Sequence, residues 1–240
     1  MQIKKIASII CSVFFLFSSL YINAQVKSVI KDSVKITEIN RSIGDIRVII
    51  TQFKRLDHKD PLCHAMIRVL KDKQSIDSLV YKEIDPVGSN YGLSVYPELF
   101  EGHLVIAKFG GYDGRTIIIN SKGKLFDFPG GIIFPDITSG LLFSFYYSDL
   151  GRLSVFDLKT DCLLFSSEDL DDKPYLMYKN NEGRYFYSAE RPEDAGSKVS
   201  FWEYLTDQKT VRKSNLTPDS PGMKCLPRVS DNKNFLVNCE

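Results

Sequence analysis

What most constrains this chain is a rhythm that recurs three times. "YPELFEGHLVIAKFGGYDGRTIIINSKGKLFDF" begins at Tyr96, "FPDITSGLLFSFYYSDLGRLSVFDLKTDCLLF" at Phe134, and "YKNNEGRYFYSAERPEDAGSKVSFWEYLTDQKTV" at Tyr178, so the starts lie 38 and 44 residues apart. Each copy has an aromatic residue, a polar turn ending in Gly102, Gly140 or Gly183, and an apolar run. A second Gly-bearing turn, another apolar run, a polar turn and a shorter third run follow. No long stretch keeps apolar residues at three-and-four spacing with caps, whereas β-branched and aromatic runs are common, so the chain reads as all-β.

Two weaker copies flank these three. Upstream, "IRVIITQFKRLDHKDPLCHAMIRVLKDKQSIDSLVYKEI" gives three strands after a leading strand near "VKITEI"; downstream, "CLPRVSDNKNFLVNC" supplies two strands of a hairpin. The runs "LVIA", "TIII", "LLFSF" and "LSVF" are continuously apolar, as expected of strands covered on both faces. A lone meander cannot cover both of its faces, so neighbouring meanders must do it. Repeat length and doubly covered strands together predict a small β-propeller of about four blades plus a C-terminal closing hairpin, with the N-terminal "VKSVI" adding a strand to that hairpin. A β-sandwich is the alternative.

The segment from Phe134 to Leu164 resembles the repeat of WD40 and YVTN-type propellers. The resemblance rests on Pro135, Asp136 and Gly140 as a Ser-Pro-Asp-Gly-like turn, Asp149 and Gly151 as an Asp-Gly-like turn, and Phe156 with Asp157 as a Trp-Asp-like strand end. It extends best over residues 93 to 215. Phe156, Asn120 and Tyr204 stand where a Trp or Asp recurs in that family, and the resemblance implies generic propeller blades.

The first 24 residues read as a cleaved secretory signal: Lys4 and Lys5, an apolar run from Ile6 to Ile22, then Ala24 before Gln25. The expected mature chain is one propeller-like domain over residues 25–240, periplasmic in a Gram-negative bacterium or secreted, with no stable membrane insertion. Losing Lys4 and Lys5 from 31 basic residues leaves 29 against 30 acidic ones, so no basic surplus points to nucleic acid. Of Cys63, Cys162, Cys225 and Cys239, the last two are expected to pair, because folding "CLPRVSDNKNFLVNC" into a hairpin brings them nearly opposite each other. No pairing is assigned to Cys63 and Cys162.

Catalytic signatures are weak. "DHKDPLCH" crowds Asp57, His58, Asp60, Cys63 and His64 into one turn but lacks paired CxxC or HExxH spacing, so no metal is expected. His103 reads as a strand-end residue, no GxSxG elbow is present, and Gly110, Gly111 and Gly114 fit a hairpin rather than a phosphate loop. No cofactor is expected. Function then falls to the face formed by turns between second and third strands and by the links between blades, which carries Tyr91, Tyr112, Asp113, Tyr147, Asp149, Arg191, Glu193 and Asp194. Rings and charges of this kind suit a protein-binding patch. The expected role is a non-enzymatic protein-binding module, an inhibitor or immunity protein against a cell-wall-targeting toxin being the first candidate. The rival is a carbohydrate-binding or carbohydrate-active propeller.

Overall fold

A computed structural model describes residues 33–55, 63–84, 92–100, 102–109, 114–147, 151–167, 170, 173–190, 199–229 and 236–237. Every regular element there is a strand, and the strands form four antiparallel meanders in chain order. The first sheet comprises β1 (Ser33–Ile43), β2 (Ile46–Arg55), β3 (Cys63–Lys71) and β4 (Gln74–Ile84). The second holds β5 (Gly92–Phe100), β6 (His103–Phe109), β7 (Arg115–Asn120) and β8 (Leu125–Pro129). The third holds β9 (Ile132–Asp136), β10 (Leu141–Tyr147), β11 (Gly151–Asp157) and β12 (Cys162–Ser166). The fourth holds β13 (Lys173–Lys179), β14 (Tyr185–Glu190), β15 (Ser200–Leu205) and β16 (Thr210–Lys213), with β17 (Lys224–Cys225) added beside β13. Last comes a two-strand hairpin of β18 (Arg228–Val229) and β19 (Leu236–Val237). The chain is thus all-β, built of consecutive propeller-type meanders and a C-terminal hairpin, as expected. It divides into two compact units, the first sheet in one and the other sheets with the hairpin in the second.

The backbone repeats as regularly as the apolar runs. Gly44, Gly102, Gly140 and Gly183 sit at the first turn of the four sheets, with φ of 59°, 74°, 76° and 80°. These are left-handed values that glycine adopts without steric penalty. The third turn of each sheet also goes left-handed, at Asp72 and Lys73, Gly123, Asp161 and Lys209. Side chains at strand ends tie these turns: the Asn120 Oδ1 accepts from the backbone N–H of Lys122 and Lys124, Asn180 Oδ1 from Glu182 and Arg184, and Asp157 Oδ1 from Lys159. Such short polar side chains mimic a backbone turn, which is why Asn and Asp recur there.

In the second unit, the third sheet is buried from both sides. Phe134, Leu141, Phe143, Phe145, Leu153 and Val155 pack with Met177, Tyr185, Tyr187 and Tyr204 of the fourth sheet. The alternate residues Ile133, Leu142 and Phe156 pack with Val105, Ala107, Ile118 and Phe128 of the second. Successive side chains of a strand point to opposite faces, so two covered faces require an unbroken apolar run. "LLFSF" and "LSVF" are that run. Aromatic rings fill the seams, with Phe143 and Tyr185 centroids 4.7 Å apart and Phe128 stacked on Phe156 at 5.6 Å.

Where the chain passes from the second sheet to the third, it crosses on glycines that sequence reading overlooked. Gly131 donates its N–H to both Thr116 Oγ1 (3.2 Å) and Ser144 Oγ (3.1 Å), Gly130 donates to Gly114 O (3.0 Å), and the Ser154 hydroxyl donates to Pro129 O (2.7 Å). Thr116, Ser144 and Ser154 are fully buried, and they satisfy a backbone that could not otherwise cross the core. A Cβ at Gly130 would run into the Ser144 and Thr116 hydroxyls, whereas one at Gly183 would meet open space. Gly130→Ala is therefore expected to lower unfolding stability by about 2–3 kcal/mol through overpacking. Gly183→Ala should lose only about 1 kcal/mol from its left-handed backbone. Urea denaturation of both variants checks the difference.

Candidate functional site

Three carboxylates organise the polar side chains of the second unit, and each lies where sequence order alone would not place it. Asp136, at the end of β9, is 7% exposed. Its Oδ2 accepts from Lys179 Nζ at 2.6 Å, the Tyr185 hydroxyl at 2.7 Å and the Ser139 hydroxyl at 2.8 Å; its Oδ1 accepts from the Ser139 N–H at 3.2 Å. Lys179 and Tyr185 flank the first turn of the fourth sheet, so this cluster latches the third sheet to the fourth. Burial pushes the Asp136 carboxyl upward, but donors from Lys179, Tyr185 and Ser139 outweigh it and hold the group down at about 2. The same contact with Asp136 raises the Lys179 ammonium. Burial first, and then the Asp136 charge, raise the Tyr185 phenol. Asp136 is thus a fixed anion and Lys179 a fixed cation, which fits an ion-pair latch and not proton transfer near neutral pH.

The second cluster joins the second and third sheets. Asp161, in the left-handed turn between β11 and β12, accepts from Asn120 Nδ2 at 2.7 Å and meets His103 Nε2 at 2.8 Å. Burial works against the Asp161 anion, yet its bonds to His103 and Asn120 keep the carboxyl below the usual range. His103 opens β6, as expected of a strand-end residue, and it is also one half of an inter-sheet contact. Its partner lies 58 residues on, and no local spacing could have revealed it.

The third cluster lies on the face of the fourth sheet turned away from the third. Glu203 on β15 is 3% exposed and lies between two arginines. Its Oε1 accepts from Arg184 Nε at 2.6 Å, and its Oε2 from Arg212 Nε at 2.9 Å and Nη2 at 2.7 Å. The cross-strand pairs Phe186 with Glu203 and Glu203 with Arg212 set this alignment. Arg184 also lies over the Phe186 ring at 5.4 Å. Beside them opens a cavity of about 450 Å³ lined by Arg184, Glu203, Arg212, Lys213, Ser214, Asn215 and Leu216.

The expected partner-binding set is not brought together in what is described. Tyr91, Tyr112, Asp113, Asp149, Arg191, Glu193 and Asp194 lie outside the described residues, and Tyr147 closes β10. "DHKDP" and "VKSVI" lie outside them too. Among the described residues no three His, Cys, Asp or Glu side chains gather as a metal site. The expected hairpin forms, but Cys225 precedes it. Its strand β17 pairs with β13 opposite Tyr178, and the hairpin register runs Arg228 to Val237 and Val229 to Leu236. The expected partner of Cys225, Cys239, lies outside the described residues, and Cys162 is a free, exposed thiol on β12.

No family model matches this chain, and no curated protein matches it. Among solved structures it is similar to the β-propeller domain of the Trilobed protease from Pyrococcus furiosus, at 8% identity and TM-score 0.34, covering 78% of this chain and 58% of that one. It is also similar to the Pyrococcus horikoshii acylaminoacyl peptidase, at 8% identity and TM-score 0.33, covering 78% of this chain and 33% of that one. The chain thus spans less than two thirds of either. Likeness at this level carries no argument about chemistry, nothing ties the chain to WD40 or YVTN proteins specifically, and the fold description rests on the sheets themselves.

The depressed Asp136 carboxyl sets a pH dependence. A group whose folded value lies below its unfolded one stabilises the fold above the unfolded value and loses that contribution as pH falls through the folded value. Between its ordinary 3.8 and about 2, Asp136 should therefore give up about 2 kcal/mol of stability. Thermal unfolding followed from pH 5 to pH 2 should show that loss in the wild type. Asp136→Asn, already destabilised at pH 5 by the stranded Lys179 cation, should show a flatter dependence across the same window.

Proposed function

We propose that this protein is an exported, non-enzymatic binding module that acts through a protein partner. The supporting observation is that strands β9 to β11 of the third sheet are covered on both faces, leaving them no outward side to present, so that contact with other molecules falls to the connecting segments and outer strands. Asp136, Asp161 and Glu203 point the same way: each is engaged by donors that hold sheets or strands together. The binding set is Tyr91, Tyr112, Asp113, Tyr147, Asp149, Arg191, Glu193 and Asp194, rings and charges spread over separate connections of the repeat. An inhibitor or immunity role against a cell-wall-targeting toxin is the narrower form of this reading. Export after cleavage at Ala24 and a Cys225–Cys239 bridge belong to it, since a periplasmic or external address permits disulfides.

Two measurements bear on it. Alkylation of the intact protein followed by peptide mapping should label Cys162 at once and Cys225 only after reduction, with the Cys225 peptide linked to the Cys239 peptide. Linkage to Cys63 would replace the proposed pairing. Affinity capture from periplasmic extract should retain one stoichiometric protein on the wild-type mature chain and lose it on a variant with alanine at Tyr112, Tyr147 and Arg191. Recovery of glycans without a protein would favour a carbohydrate-binding propeller and end the present reading.

A further inference from the structure

The cavity beside Glu203 takes no part in the reading above, whose binding set lies on other residues. We propose that it is a binding site for an acidic peptide segment, received by Arg184 and Arg212.

Glu203 is the reason these cations are usable. Each of its carboxylate oxygens takes one guanidinium edge, so Arg184 and Arg212 are held side by side instead of sampling separate rotamers. Arg212 spends Nε and Nη2 on this contact, which leaves its Nη1 uncommitted among the described residues. Both guanidiniums stay open to water, at 42% and 58% side-chain exposure, whereas Glu203 is only 4% exposed. A buried anion that aligns two exposed cations pre-pays part of the ordering that an incoming carboxylate would otherwise require. Lys213 also borders the cavity, but it pairs across the strands with Trp202, so its side chain leaves β16 on the face opposite Arg212 and its charge acts only from a distance. Glu182, 72% exposed, sets a negative charge 3.4 Å from Arg184 Nη1.

The shape favours a peptide over a lone anion. About 450 Å³ lies within the range of sites that take drug-sized ligands and is far more than a single carboxylate fills. The lining runs along consecutive residues Arg212 to Leu216, from the outermost strand of the fourth sheet into the segment that follows it. Ser214 and Asn215 supply polar groups at intervals along this trough, and Leu216, 37% exposed, supplies apolar contact for the methylenes of a Glu side chain.

The test uses the full mature chain and a fluorescein-labelled hexaglutamate peptide, read by anisotropy. Binding should be saturable and weaken as salt rises, and a hexaglutamine peptide should not bind. The double variant Arg212→Gln with Lys213→Gln should bind at least tenfold more weakly; because losing Arg212 also takes a partner from buried Glu203, its melting temperature should fall, and binding is compared at a temperature where circular dichroism shows both proteins folded. A charge-matched control, Lys73→Gln with Lys122→Gln, should bind like the wild type. Glu203→Gln separates alignment from bulk charge: it makes the site more positive, yet binding should weaken because the guanidiniums lose their anchor. Tighter binding by a folded Glu203→Gln protein, equal losses in the control variant, or no binding to the wild type would overturn the proposal. Displacement of the peptide by polygalacturonate at equal carboxylate concentration would overturn its assignment to a peptide.

Discussion

A β-sheet covered on both faces has no water-facing side on which to place polar groups, and this constraint governs the second unit. Strands β6, β7, β10 and β11 answer it with apolar side chains that are nearly all inaccessible to water. In their middles the buried polar groups are hydroxyls, as in the Thr116 to Ser144 contact of 2.5 Å, while Lys108 and Asn120 are buried toward the ends of β6 and β7. The hydrophobic term binds sheet to sheet without direction, so it leaves the relative alignment of neighbouring sheets weakly specified. Alignment comes from the directional contacts at strand ends. Asp136 fixes the third sheet to the fourth and Asp161 the second to the third. The Gly130 and Gly131 crossing pins the second and third sheets at their other end.

Much of the fold was legible in the chain because it rests on local chemistry that repeats. Gly102, Gly140 and Gly183 announced their turns, since left-handed backbone at a tight turn selects glycine. The runs "TIII" and "LSVF" announced doubly buried strands and became β7 and β11. The weak first copy was also legible, and its four strands occupy the segments assigned to them. Less local features were not legible. His103 to Asp161 and Asp136 to Lys179 join residues 58 and 43 positions apart, and nothing in either neighbourhood marks the partner. Gly130 and Gly131 were overlooked, because their constraint is the approach of two hydroxyls from other strands. The two roles of "CLPRVSDNKNFLVNC" were not legible either: the hairpin was expected, but the pairing of Cys225 with Tyr178 on β13 was not.

The candidate site was the least legible part. Arg184, Glu203 and Arg212 are spread over a turn and two strands, and only cross-strand register stacks them on one face. A sequence can show that a strand exists long before it shows what stands opposite each residue. One available hint was that Glu203 interrupts the apolar pattern of "SFWEYL", where a buried acid demands a cationic partner.

The third turns of the four sheets differ in one respect that bears on how such a chain can diverge. Only the second sheet uses glycine there; the first has Asp72 and Lys73, the third Asp161 and the fourth Lys209. A left-handed non-glycine residue carries a penalty of about 1 kcal/mol. At Asp161 the side chain is tied to Asn120 and His103, which compensates for that penalty and binds the turn's identity to its neighbour's. Lys209 is exposed and free to drift toward glycine or asparagine with a gain in stability. The repeats therefore evolve under unequal freedom: the outermost corner of the fourth sheet can be rewritten alone, while any change at the corresponding corner of the third has to be matched by one in the second.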